Sequence, residues 1–144
     1  MSFWRTKNSK KITSDSIAVD SDGTTLKDYC ETKTNYALTN TPIQPAGTSN
    51  TISIKKVGKT VFLNVFIIYF SSISANTNLT IGTMPSEVRP SENLVCTGLL
   101  VDTSGNNRNY GRIVIRADGN ITLNVATAYS STSGVRFSAT WIQD

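Results

Sequence analysis

The side chains that could perform acid–base or nucleophilic chemistry are few in this sequence of 144 residues. There is no histidine, so the most common proton shuttle of enzymes is absent. Five of the ten acidic residues lie in the first 40 positions, one lies in a predicted turn and one is the last residue. The remaining three, Glu87, Glu92 and Asp102, show no spacing that singles out a catalytic pair. Because nucleophile-elbow, P-loop and dinucleotide-binding motifs are also missing, we predict that the protein is not an enzyme.

The same inventory of side chains argues against a metal or another cofactor. Cys30 and Cys96 match no metal-ligand spacing, and no histidine is present to complete a zinc site. We predict no cofactor and expect two free, partly buried thiols, with a disulfide as the alternative in an oxidising compartment. The N-terminus lacks an apolar run, and no stretch reaches the roughly 18 apolar residues that a membrane span needs. The sequence thus predicts neither a signal peptide nor membrane insertion.

The formal net charge of +4 is concentrated at one end of the chain. Residues 1–11 contain four basic residues and no acid, whereas residues 12–144 contain ten residues of each sign. Nucleic-acid binding requires a basic patch on the folded part of a protein, so we predict no nucleic-acid partner. A basic tail on a neutral body is better suited to contacting neighbouring proteins.

Composition divides the chain near residue 50. Residues 1–50 are predicted to form an extended N-terminal arm with a short helix over 25–37 and a linker rich in proline and hydroxyl residues at 41–50. Residues 51–144 carry a β pattern, in which short apolar runs alternate with turns rich in Ser, Asn and Gly. The predicted strands cover 51–55, 61–70, 78–82, 94–101, 110–116, 120–125 and 135–142. This spacing predicts a mainly β protein with an antiparallel β-sandwich or jelly-roll domain.

The phase of the apolar residues shows which strand faces are buried. In the last strand Val135, Phe137 and Trp141 share one face, and polar residues occupy the other, so Trp141 is predicted to lie in the core. The strand at 61–70 differs because both of its faces are apolar. Its second face is covered either by the helix or linker or by other copies of the chain, and the sequence leaves both alternatives open.

A turn with the sequence Asp-Gly-Asn at 118–120 joins two of the predicted strands. A two-residue loop would place Ile115 opposite Thr122, an apolar residue against a polar one on the same face. A three-residue loop at 118–120 pairs Ile115 with Leu123 instead. We predict that register, with the third loop residue in the left-handed conformation.

Two segments resemble the head domains of bacteriophage tail fibres and baseplate receptor-binding proteins. Residues 81–91 read Ile-Gly-Thr-Met-Pro-Ser-Glu-Val-Arg-Pro-Ser, which resembles the L-P-x-x-x-R-P loop at the end of a strand in those heads. Residues 111–123 resemble the G-x-I-x-I-x-x-D-G-x-I hairpin that follows it. The order of these motifs over 51–142 is similar to that in receptor-binding proteins of siphophages that infect Gram-positive bacteria.

This resemblance implies a homotrimer in the virion, at the tail tip or baseplate, whose heads bind a host cell-surface saccharide without chemistry. It also implies that the N-terminal segment fastens the trimer to other tail or baseplate proteins, with the helix at 25–37 as a short stalk. The anchoring residues would be Phe3, Trp4, Arg5 and Lys7. Two alternatives stay open: a structural tail or baseplate subunit with the same head fold, and a stand-alone carbohydrate-binding module.

A saccharide site needs flat apolar surface for the sugar rings and fixed polar groups for the hydroxyls. The segment from 102 to 112 is dense in such residues, and Tyr129 is a second candidate in a later loop. The candidates within the segment are Asp102, Asn106, Asn107, Arg108, Tyr110 and Arg112.

Overall fold

The computed structural model describes residues 34–143, and within that range it contains eight strands and one short 3₁₀ helix. The strands are β1 (Thr34–Tyr36), β2 (Thr51–Val57), β3 (Thr60–Phe70), β4 (Asn78–Thr83), β5 (Leu94–Val101), β6 (Asn107–Ile115), β7 (Asn120–Asn124) and β8 (Ser133–Ile142). The 3₁₀ helix, Ser86–Val88, lies between β4 and β5. The prediction of a mainly β protein is confirmed, and each of the seven predicted strands has its counterpart.

All eight strands belong to one antiparallel sheet with the order β1-β2-β3-β8-β5-β6-β7-β4. The sheet curls so far that its two edges approach each other. Thr39, just beyond edge strand β1, forms a bridge with Thr83 of edge strand β4, with N–H···O distances of 3.0 and 2.7 Å. A sandwich would divide the strands between two sheets, whereas here a single curled sheet encloses the core.

The core fills the concave side of the curl. It includes side chains from nearly every strand and from the proline loop between β4 and β5, because alternate residues of each strand point inward. In β8 the predicted inward face is confirmed, since Val135 is fully buried and Phe137 and Trp141 are buried. The largest fully buried side chains are Phe70, Ile54, Leu63, Ile68, Ile81, Met84, Leu100, Ile113, Ile115, Ile121, Leu123 and Val61.

A β-bulge explains part of the doubly apolar pattern of β3. The pairing of β3 with β8 shifts between Val65 and Ile68, and such a shift changes which residues point inward. Ile68 and Phe70 therefore join the core on the same side as Val65. Phe62 and Phe66 remain on the convex side, with 45% and 58% of their surfaces exposed in the single chain.

The hairpin between β6 and β7 has the predicted loop length at a different position. Ile115 pairs with Ile121, so the loop comprises 117–119 and the predicted pairing of Ile115 with Leu123 is wrong. Gly119 has φ of +94° and takes the left-handed third position, because glycine adopts positive φ without a Cβ penalty. Both registers place apolar residues opposite each other, so periodicity alone does not separate them.

The predicted helix at 25–37 does not extend over its last residues. Residues 34–36 form β1, which pairs with β2 through Thr34 and Lys56 and through Tyr36 and Ile54. The helical pattern in this segment is weak, and hydrogen bonding to an available sheet edge overrides weak local propensity. Residues 25–33 and the predicted anchor residues Phe3, Trp4, Arg5 and Lys7 lie outside the described residues.

Candidate functional site

The two segments that suggest a phage head domain meet in the folded chain. The N–H of Met84 in the proline loop donates to the carbonyl of Gly119 in the β6–β7 turn, at 2.9 Å. Arg89, from the same loop, donates from Nε to the Met84 carbonyl at 3.2 Å. Arg89 thus ties the proline loop to itself, and its guanidinium lies directly against the turn glycine.

The predicted saccharide-binding segment begins with the turn between β5 and β6. Oδ1 of Asp102 accepts hydrogen bonds from the backbone N–H groups of Ser104 and Asn106, each at 2.9 Å. Oδ2 accepts a third from the Asn106 side chain at 3.2 Å. Asp102 therefore holds the turn in shape, and its carboxylate is already occupied by protein donors.

These contacts lower the pKa of Asp102 below its ordinary value. The main cause is the hydrogen bond from the Asn106 backbone, which favours the charged form. Because the carboxylate has a lower pKa when folded than when unfolded, its contribution to stability is present at neutral pH and is lost as the pH falls through the folded pKa.

We expect Asp102→Ala to lower the stability of the protein at pH 7 and to have a smaller effect in acid. Urea unfolding of both proteins across a pH series measures this difference, which should shrink below about pH 4. An NMR titration that gave Asp102 an ordinary or raised pKa would contradict the assigned role.

A row of side chains crosses four neighbouring strands on the convex face. Alternation places Arg136 of β8 and Leu99 of β5 on this face, since both of their chain neighbours point inward. Arg136 is paired with Leu99, and Leu99 with Tyr110 of β6. At the other end, the Arg136 guanidinium lies over the Phe66 ring, 5.1 Å from its centroid. We call Phe66, Arg136, Leu99 and Tyr110 the outer row.

The arginine of the outer row is held between an aromatic ring and the β5–β6 turn. Its Nη2 lies 3.7 Å from where a Cβ on Gly105 would stand, so the guanidinium is beside the turn that Asp102 organises. Its Nε is buried and has no hydrogen-bond partner among the described residues. The cation–π contact with Phe66 restrains the guanidinium on this face of the sheet.

The structure brings most of the predicted binding residues to one hairpin but not all of them. Tyr110, which is 66% exposed, and Arg112 point outward from β6, next to the outer row. Asn106, Asn107 and Arg108 are exposed at the turn and at the start of β6. Tyr129 lies elsewhere, because its backbone bridges Ile73 and its half-buried ring packs against the core.

Sequence reasoning did not propose Phe66, Leu99 or Arg136 as binding residues. A signal existed for Phe66, which falls on the apolar second face of its strand. Leu99 and Arg136 become recognisable only once strand order is known, since β8 inserts between β3 and β5 in the sheet.

Within residues 34–143, no three His, Cys, Asp or Glu side chains group as metal ligands do. No helix there has the length and apolar character required to cross a membrane.

Cys96 is half-buried, and burial raises the pKa of its thiol. Cys30 lies outside the described residues.

No protein-family model matches the sequence, and no curated protein matches it either. Among solved structures, the chain is similar to the crystal structure of the head domain of phage bIL170, a receptor-binding domain of a lactococcal phage. The TM-score is 0.58 at 14% sequence identity, and the match covers 76% of this chain and 99% of that one. The chain therefore has the type of fold found in a phage receptor-binding head domain. At this level of identity the likeness concerns the fold alone.

Proposed function

We propose that this protein is a phage tail-tip receptor-binding protein that attaches the virion to a saccharide on the host cell surface, without catalysis. The observation that carries the proposal is the coincidence of a head-domain fold with the outer row on its convex face. The fold supports a receptor-binding role, and the outer row supplies the chemistry that a saccharide requires.

The outer row combines the two kinds of group that bind sugars. The Tyr110 ring and the part of Phe66 that Arg136 leaves exposed offer apolar surface on which the C–H side of a pyranose ring packs. Between them Arg136 presents guanidinium donors, and Arg112, two residues from Tyr110 on the same face of β6, adds further donors for hydroxyls. Since Asp102 fixes the turn beside Arg136, that side of the outer row is already formed before the ligand arrives.

The experiment for this proposal is a binding measurement with the full-length protein. Fluorescently labelled protein is mixed with bacterial cell walls before and after extraction of their surface polysaccharide. We expect it to bind intact walls, to lose binding on extraction, and to release no new reducing ends. Equal binding to extracted walls would refute a saccharide receptor, and steady release of reducing ends would refute a non-catalytic one.

We further propose that the protein is a homotrimer and that residues 1–50 fasten it to the tail or baseplate through Phe3, Trp4, Arg5 and Lys7. Large apolar side chains on the convex face beyond the outer row support contacts between copies, because exposed apolar surface of this kind favours subunit packing. They are Phe62 at 45%, Val95 at 58% and Ile142 at 67% exposure. The native mass in solution tests the trimer, and a monomer would contradict it.

The same exposed side chains favour a second candidate, a structural tail or baseplate subunit that never touches the host. Deletion of residues 1–11 tests attachment to the tail, which both candidate functions require, so it does not distinguish between them. Only the structural role predicts that particles carrying a disrupted outer row still adsorb normally.

A further inference from the structure

A second surface feature lies away from the outer row, where the β2–β3 hairpin approaches the proline loop. It is an open cleft of about 420 Å³. Its lining residues are Lys56, Lys59, Glu87, Arg89, Ser91 and Gln143. All of them are polar or charged, and three of them are cations.

Hydrogen bonds between separate segments hold the walls of this cleft. The N–H of Gln143 donates to the Lys59 carbonyl at 2.8 Å, and its side-chain Nε2 donates to the Arg89 carbonyl at 3.1 Å. Lys56 reaches across the cleft from β2, and its Nζ donates to the Glu87 carbonyl at 3.3 Å. One of these bonds joins two backbone groups and the other two join a side chain to a backbone carbonyl, so the cleft walls are connected at three points.

The charge in the cleft is unbalanced. Lys56, Lys59 and Arg89 face one acid among the lining residues, Glu87. The pKa of Glu87 is lowered mainly by hydrogen bonds from its own backbone N–H and from the Ser86 side chain, and to a smaller extent by the charges of Arg89 and Lys56. The lining as a whole keeps an excess of positive charge.

The folded region around the cleft is basic as well. Residues 34–143 contain eight Lys or Arg and four Asp or Glu. The neutral body expected from the sequence covered residues 12–144, which add five acids and two lysines before residue 34 and the acidic last residue. The positive excess of the described part of the chain raises the local concentration of anions at such a cleft.

We propose that the cleft is an anion site that binds an oxyanion, a phosphate or carboxylate group, carried on a surface polymer. Two lysine ammonium groups supply point charges, and Arg89 supplies guanidinium N–H groups beyond the one that bonds the Met84 carbonyl. The anion site is inferred from the cleft itself. Only the assignment of the anion to a surface polymer rests on the proposed function.

Four probes test the site by NMR or calorimetric titration of the full-length protein: inorganic phosphate, acetate, glucose 6-phosphate and glucose. We expect glucose 6-phosphate to bind and to perturb the Lys56, Lys59 and Arg89 signals, and glucose to leave them unchanged. The comparison of phosphate with acetate identifies the preferred oxyanion. Failure of all three anions to perturb the cleft would overturn the proposal.

Three single substitutions give the titration its controls. Lys56→Gln should weaken glucose 6-phosphate binding about three- to ten-fold, since it removes one charge-assisted hydrogen bond at a partly exposed site. Lys55→Gln, an equal charge change at the preceding residue, should leave binding unchanged because Lys55 is on the opposite face of β2. Glu87→Gln should strengthen binding by a similar factor, a gain that unfolding cannot produce.

Equal weakening by Lys55→Gln and Lys56→Gln would overturn the site, because it would reduce the effect to the overall charge of the protein. Weakened binding in Glu87→Gln would overturn it too. If the anions bind as expected while cell walls do not, the proposed receptor function fails and the anion site stands.

Discussion

Replacing both Phe66 and Tyr110 by alanine is expected to lower the affinity for host cell walls by about ten- to hundred-fold. Exposed aromatic anchors next to an arginine typically contribute most of the binding free energy of a small site, at more than about 1 kcal/mol each. Phe66→Ala also removes the ring under Arg136, so the guanidinium loses the contact that restrains it. Titration of labelled protein onto cell walls measures the loss.

Ile43→Ala is the matched control for that variant. Ile43 is an apolar residue, 92% exposed, that lies between β1 and β2, outside the outer row and outside the side chains proposed to contact other copies. It should leave wall binding unchanged. Because Phe66 and Tyr110 are mostly exposed, the double variant should unfold at the same urea concentration as the unaltered protein. Unaltered wall binding by the folded double variant would show that the outer row is not the receptor site.

Gly119→Ala is expected to destabilise the protein by about 2–5 kcal/mol, through backbone strain and overpacking together. Its φ of +94° is unfavourable for any residue with a Cβ. That Cβ would also stand 2.8 Å from the Met84 carbonyl oxygen and 2.5 Å from Arg89 Nε. The Met84 carbonyl oxygen is a backbone atom and cannot rotate aside as a side chain would. The proline loop that carries it must therefore shift as a whole. Urea unfolding measures the change in the free energy of unfolding.

Gly47→Ala separates the two contributions in this prediction. Gly47 has a similar positive φ of +78°, but a Cβ there would meet no atom within 4 Å. It should therefore cost only the backbone strain, about 1–2 kcal/mol. Equal destabilisation by the two substitutions would mean that the close contact between the β6–β7 turn and the proline loop contributes nothing.

Strand positions were predictable from the sequence because each strand has its own period of two and its own turn residues. The run from 61 to 70 illustrates the limit. Its length and apolar character are local properties, but the bulge after Val65 depends on how β8 pairs with it. For the same reason the sequence does not predict which residues of the second apolar face are buried. Ile68 and Phe70 are buried, whereas Phe62 and Phe66 are exposed.

The candidate site was predictable only where its residues are adjacent in sequence. Tyr110 and Arg112 were found because they belong to one polar hairpin, whereas Arg136 and Phe66 reach the same surface through strand order. Asp102 is predicted from its residue type to bind the ligand, but its oxygens accept hydrogen bonds from the turn. Residue type alone does not distinguish a carboxylate that binds a ligand from one that caps its own loop.

The most direct test of the central claim is competition for adsorption between the purified full-length protein and the phage that carries it. Host cells are incubated with increasing protein, and the rate of phage adsorption is then measured. We predict that the unaltered protein blocks adsorption in a saturable manner and that the Phe66→Ala, Tyr110→Ala variant does not. Adsorption that stays unchanged at protein concentrations that saturate the cells would contradict a receptor-binding function.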